Sequence, residues 1–251
     1  QWDEFERVVG TCRVPFVPVP GNHDISDAGT ERIYLERIGP TRFSFTYGNS
    51  LFIVLNTEEV GAIDRLSDGQ NEWLRDQLAQ SDAKNIFLFM HQPHFTDPER
   101  WAKTADVLQG HPVRLVFGSH AHIYVDCGLR EGVRYVISGG GGAEISTPED
   151  EGGFHHYLLV RVRGEQVSWV VIKPGSILPQ DIVTRESVEL VRALKGAIGT
   201  EPLEVFWGEG FSREVAVFVK NPTNQEVSSR ITWALPEGWH VDPLEAPYTI
   251  G

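Results

Sequence analysis

Val17-Pro18-Val19-Pro20-Gly21-Asn22-His23-Asp24 is an apolar, proline-spaced run that stops at a glycine and continues at once with an amide, an imidazole and a carboxylate. The run reads as a buried strand, and Gly21 permits a sharp turn after it. The polar triplet is therefore expected at a strand's C-terminal end. Taken alone it is a turn with a polar tip, and most such turns carry no chemistry. Two further runs end in the same way: Asn85-Ile86-Phe87-Leu88-Phe89-Met90 leads into His91, and Val113-Arg114-Leu115-Val116-Phe117 leads through Gly118-Ser119 into His120-Ala121-His122. Three strand-like runs thus deliver metal-capable side chains just after their last apolar residues, and the repetition points to a site.

The bulk properties narrow the classes. At 251 residues the chain has room for one large domain, or one domain and part of another. It is 41% hydrophobic and 10% aromatic, which supports a packed core and argues against disorder. A net charge of −13 argues against a nucleic-acid backbone as the main partner. It leaves room for a phosphate ester at a metal site, where bound cations dominate the local field. Cys12 and Cys127 suit neither a disulfide framework nor a thiolate zinc cluster; one bridge and two buried thiols both stay open. No run is long and apolar enough to span a bilayer.

Along the chain, Trp2, Phe5, Val8 and Val9 have the spacing of a short amphipathic helix. Arg13–Pro20 is expected to be the first strand, and Thr30–Ile38 a short helix. Arg42–Tyr47 and Leu51–Asn56 flank Gly48-Asn49-Ser50, a hairpin signal. Ser67–Ser81 reads as a helix with Ser67 or Asp68 at its start, and Pro98–Leu108 as another capped by Asp97. A hairpin is expected from Ile123–Cys127 and Val133–Ile137 turned at Gly128–Gly132, and a second from Phe154–Val162 and Gln166–Ile172 around Gly164. Gly139-Gly140-Gly141-Gly142 lacks the Lys-Ser/Thr of a P-loop and reads as a strand-end loop that lets the backbone pass near the site. Helices interleaved with strands, then consecutive hairpins, predict two packed sheets flanked by helices.

After Pro174-Gly175 the texture changes. Glu186–Ala197 has helical spacing, and the pattern from Leu203 is β: Leu203–Trp207, Arg213–Lys220 and Ser228–Leu235, with Asn221-Pro222-Thr223-Asn224 as a turn. The expected division is residues 1–180 as the catalytic domain, 181–200 as a helical connector, and 201–251 as a partial β-sandwich. Fewer strands are in hand than the seven or so that close such a sandwich.

The blocks Gly21-Asn22-His23-Asp24, isolated His91 and His120-Ala121-His122 resemble those of the calcineurin-like metallophosphoesterases. That family includes purple acid phosphatases and class III cyclic-nucleotide phosphodiesterases. The resemblance covers residues 1–180 and implies an α/β/β/α sandwich. It implies hydrolysis of phosphate mono- or diesters at two metal ions, divalent or trivalent Mn, Fe or Zn. Asn22, His91 and His120 are then ligands of one ion and His122 of the other. Alternation along an extended segment would separate His120 from His122. Two imidazoles and an amide oxygen form a borderline donor set. His23 is implied as the acid that protonates the leaving group, with Asp24 orienting its ring; Asp24 also suits capping or turn bonding. Two departures stand out. Ser119 replaces the glycine of the last block, and the family's Asp-x-His and Gly-Asp-x-x-Asp blocks have no counterpart. The chain is accordingly expected to be the interior of a larger enzyme.

Other histidines carry weaker expectations. His94 is read as lining the substrate mouth or as an exposed loop residue. One of His155 and His156 is expected to face inward, His111 to face solvent at a helix end, and His240 to lie in the accessory module. The β module resembles immunoglobulin-like modules of secreted hydrolases, which implies an extracytoplasmic (secreted or periplasmic) location and contact with a cell surface or glycan. A small phosphoester is the expected substrate. The alternatives are a catalytically impaired scaffold that only binds, and a mononuclear zinc hydrolase; the latter lacks the helical His-Glu-x-x-His spacing.

Overall fold

The computed structural model describes residues 2–62, 64–204, 210, 212–223 and 225–251. The chain divides into two compact units, Gln1–Arg185 and Glu186–Gly251. The first opens with α1 (Trp2–Val9) and α2 (Ala28–Arg37). It continues through β1 (Phe43–Tyr47), β2 (Ser50–Val54), α3 (Asp68–Ala79), β3 (Asn85–Phe89), a 3₁₀ turn (His94–Thr96), α4 (Pro98–Leu108), β4 (Val113–Gly118), β5 (Tyr124–Arg130), β6 (Val133–Ser138), β7 (Tyr157–Arg163), β8 (Gln166–Lys173) and β9 (Ser176–Leu178). The helix starts follow local chemistry. Ser67 Oγ accepts from the Gln70 N–H at 3.1 Å, and Asp97 accepts from Glu99 and Arg100 at 3.0 and 3.3 Å, with Pro98 in the first turn.

β1 to β6 form one sheet in the order β1-β2-β3-β4-β6-β5. Its centre, β2-β3-β4-β6, is parallel, and β1 and β5 flank it antiparallel. Parallel strands covered on both faces need near-continuous apolar runs, which is what β2, β3 and β4 supply. On one face Phe52, Phe87, Phe89 and Phe117 form a row of stacked rings. With Ser138 and Leu158, Val160 and Val162 of β7 they line a cavity of about 350 Å³. The second sheet, β7-β8-β9, therefore lies on that side. On the opposite face Phe95 and Trp101 pack on Tyr135, and Trp101 Nε1 donates to the Tyr135 hydroxyl at 3.2 Å. The result is the mixed α/β architecture of paired sheets and helices.

Some expectations need correction. Residues 13–20 form no strand, and Val14, Phe16 and Val17 are exposed. Pro15, Pro18 and Pro20 have no N–H to give a ladder, and the segment is instead held by Phe16 packed edge-on against Phe5. The β5–β6 turn is tighter than Gly128–Gly132. Glu131 and Gly132 make it with φ of 50° and 83°, while the register shifts between Asp126 and Leu129, around Gly128. β7 starts at Tyr157 because the His156 N–H is already given to the Gly140 carbonyl. Cys12 and Cys127 are both free, and Cys12 is exposed; burial pushes the Cys127 thiol up to about 11.

The second unit holds α5 (Arg185–Lys195), which begins on the last residue of the first, and β10 (Ile198–Thr200), β11 (Val217–Val219), β12 (Val227–Thr232) and β13 (Glu245–Ile250). They make two antiparallel pairs, β10-β11 and β12-β13. The strand expected at Leu203–Trp207 falls mostly on residues outside the described set. The one expected at Arg213–Lys220 shortens to β11. β13 was not anticipated, because Pro247 within it weakens a strand pattern; in a two-stranded pair its missing N–H is tolerated at an edge.

Within the first unit Asp126 is 1% exposed and takes both Nε and a terminal nitrogen of Arg134, while also accepting from the Gly128 N–H. Arg134 in turn lies over the Trp169 ring of β8, and Trp169 Nε1 donates to the Tyr124 hydroxyl at 3.1 Å. Removing one partner of a buried pair leaves the other unpaired. Asp126→Ala is therefore expected to cost about 3 kcal/mol, the lower end of the range because Arg134 is partly exposed. Guanidinium denaturation checks this, and a loss below about 1 kcal/mol would contradict it.

Candidate active site

The parallel strands all end at one edge of the sheet, where open α/β sheets gather their sites. β3 ends just before His91 and β4 just before Ser119 and His120. β2 delivers Asn56-Thr57-Glu58, and β6 delivers Gly139-Gly140. Asn22 arrives from the coil rather than from a strand. Its turn is tight: the Asp24 and Ile25 N–H groups both donate to the Gly21 carbonyl, at 2.8 and 3.0 Å.

Asn22, His91 and His120 are brought together. His91 Nε2 lies 2.7 Å from Asn22 Oδ1 and 2.9 Å from His120 Nδ1. A Cβ on residue 21 would lie 2.8 Å from His91 Nδ1, so only glycine lets the ring approach the turn this closely. The same holds at Gly139, where a Cβ would meet the His122 backbone nitrogen at 2.8 Å. This is the close backbone approach expected of the glycine run, and it is confined to Gly139 and Gly140; Gly141 and Gly142 face open space.

His122 stands apart, with Nδ1 3.0 Å from the Glu144 carbonyl. His120 and His122 do not alternate along an extended segment as expected. Both have left-handed backbones, φ 52° and 53°, a conformation rare for residues other than glycine and concentrated at functional loops. His23 is exposed, and the Asp24 carboxylate accepts from the Gly21 N–H at 2.9 Å instead of from the His23 ring. Asp24 thus takes the turn-bonding role, and its bond to the Gly21 N–H is not one that orients the His23 ring. His94 is 3% exposed in the 3₁₀ turn, not at a mouth or on the surface. His156 is buried, with Nε2 3.1 Å from Ser138 Oγ and Nδ1 2.9 Å from the Phe154 carbonyl, while His155 is exposed.

Supports that the sequence reading passed over surround His91. The Gln92 N–H donates to Thr57 Oγ1 at 3.0 Å, and the Gln92 amide donates to the buried Glu58 carboxylate at 3.0 Å. Ser119 Oγ is 3.1 Å from His91 Nδ1. The signal for the first pair was present: Asn56-Thr57-Glu58-Glu59 also follows an apolar strand directly.

Among the described residues no three of His, Cys, Asp and Glu form a metal group. Asn22 Oδ1 and His120 Nδ1, each within 2.9 Å of His91 Nε2, can nevertheless join it in offering lone pairs to one ion. The charge state suits this. Burial, then His120, His23 and His122, pushes His91 from 6.5 down to about 4, so it is neutral at pH 7. The residues present thus fit one ion. For a second ion they offer His122, whose Nδ1 is bonded to a carbonyl and leaves Nε2 as the nitrogen able to act as a ligand.

The depressed His91 value has a signed consequence. The unfolded chain takes up this proton near 6.5 and the folded one only near 4, so stability present above about pH 6.5 is lost as pH falls toward 4. In metal-free protein the guanidinium midpoint should fall across that window, and less steeply in His91→Gln. Equal slopes in the two proteins would count against the neutral, buried imidazole.

The chain is similar to several known proteins. Residues 2–124 match the family described as calcineurin-like phosphoesterase. The serine/threonine-protein phosphatase CPPED1 of Pongo abelii is 30% identical over 146 residues, 49% of this chain and 46% of that protein. The 3',5'-cyclic adenosine monophosphate phosphodiesterase CpdA of Escherichia coli (strain K12) is 24% identical over 129 residues, 51% of this chain and 47% of that protein. The chain thus spans about half the length of these curated relatives. The solved purple acid phosphatase PPD1 from yellow lupin (Lupinus luteus) seeds superimposes with a TM-score of 0.57 at 18% identity, over 71% of this chain and 42% of that one; this is a likeness of fold. Through residues 2–124 the chain is similar in sequence to the calcineurin-like phosphoesterases.

Proposed function

We propose that the protein is a metal-dependent phosphoric ester hydrolase acting on phosphate mono- or diesters at a dinuclear centre. On this reading residues 1–180 carry the chemistry, 181–200 connect, and 201–251 are an accessory β module. The observation that carries the proposal is the convergence of Asn22 Oδ1, His91 Nε2 and His120 Nδ1 at the C-terminal edge of the parallel sheet. The relatives named as a phosphatase and a cyclic-nucleotide phosphodiesterase support the reaction class.

Asn22, His91 and His120 would hold one ion and His122 would contribute to the other. Mn, Fe or Zn ions supply Lewis acidity toward phosphoryl oxygens and a nucleophile from water at neutral pH. The chain's own residues do the rest. His91, neutral at pH 7, keeps a lone pair available. The Gly21 turn, tied by Asp24, presents His23 next to Asn22 with its ring open to solvent. From there His23 can give its proton to the departing oxygen of an ester.

Two experiments test this. By direct titration the chain should bind one divalent ion tightly, and His120→Ala or His91→Ala should abolish that binding; full retention would reject the ligand assignment. In the active enzyme, His23→Asn should keep its metal but lose turnover by about 10²–10⁴-fold, the range of general acid–base catalysis. The loss should be greater for alkyl phosphates, whose alkoxide needs a proton to leave, than for p-nitrophenyl phosphate. An equal loss on both would make His23 a phosphate-binding residue and not the acid.

A further inference from the structure

The ion proposed at Asn22, His91 and His120 needs His91 Nε2 as a lone pair, yet the hydrogen bonds around the ring favour a proton there. Asn22 Oδ1, an acceptor only, lies 2.7 Å from Nε2, and His120 Nδ1, 2.9 Å from the same nitrogen, accepts as well when Nε2 carries the proton. With Nε2 protonated, Nδ1 is an acceptor and takes the Ser119 hydroxyl proton across 3.1 Å. For an ion to bind, the proton must leave Nε2 and another must be taken up at Nδ1, both exchanged with water and with no net change in charge. Nδ1 then becomes a donor, and its partner must accept. Ser119 Oγ can do so, because its own proton has a second acceptor in the His91 carbonyl at 3.4 Å, while the Ser119 N–H holds the same carbonyl at 2.8 Å.

A hydroxyl is the smallest side-chain group able to switch from donor to acceptor without moving. Glycine, which the resembling family has here, offers nothing to Nδ1, and alanine offers only a methyl. We propose that Ser119 is a positioning residue whose hydroxyl partners His91 Nδ1 in both tautomers, and so lets Nε2 turn from a donor to Asn22 into a ligand for a divalent ion. This rests on the ligand assignment above. It goes further in assigning a role to the residue that departs from the family pattern.

The test uses the full chain and Zn²⁺ as the probe, with affinity read by competition against a chromophoric chelator. Ser119→Ala should weaken Zn²⁺ binding about 10-fold or more, as losses behind a ligating histidine do, and Ser119→Thr should restore it. Long-range ¹⁵N–¹H spectra of the wild-type imidazoles should show His91 protonated at Nε2 without metal and at Nδ1 with Zn²⁺. Wild-type affinity in a folded Ser119→Ala overturns the inference, as does a His91 already protonated at Nδ1 before Zn²⁺ is added. The spectra need no variant and decide the matter even if Ser119→Ala does not fold. Failure of the underlying assignment looks different: wild-type Zn²⁺ binding is then absent, or His91→Ala and His120→Ala leave it unchanged. Either result overturns the assignment and the inference together.

Discussion

The ring of His91 lies against the Cα of Gly21 with Asn22 and His120 closing on its Nε2, and the arrangement of the strand-end loops depends on that contact. It joins three segments that are far apart in the chain and share no ladder there. A side chain at residue 21 would force the ring away and separate the amide from both imidazoles. Behind it, Gln92 is held by Thr57 and Glu58, so the loop after β3 is tied to the loop after β2. Glu58 and Thr57 are buried there, and Gln92 satisfies both.

The sheet gives those loops a common edge. Four parallel strands end together, and the phenylalanine row on one face and the Tyr135 cluster on the other hold the sheet between a second sheet and helices. Rigid strands leading into irregular backbone allow His120 and His122 to adopt left-handed conformations without disturbing the core. The Asp126–Arg134–Trp169–Tyr124 chain of contacts then ties β5 and β6 to β8. Sheet packing and site geometry are therefore carried by different residues.

Sequence alone determined much of this. The capped helices at Ser67 and Asp97, the Gly48-Asn49 hairpin and the buried strands before His91 and Ser119 follow from local rules of period, cap and turn that read only a few neighbouring residues. The site residues were legible for the same reason, since each follows directly on an apolar run. What only the tertiary structure decided involves partners distant in the chain. Residues 13–20 are apolar enough for a strand, but proline takes the donors a ladder needs. Asp24 took the turn bond to the Gly21 N–H. His94 and His156 became interior residues through packing that no local pattern encodes. Which atom faces which across Gly21, Asn22, His91, Ser119 and His120 is a matter of fractions of an ångström between separate loops. Periodicity places a residue on a face or at a strand end; only the folded chain fixes its neighbours.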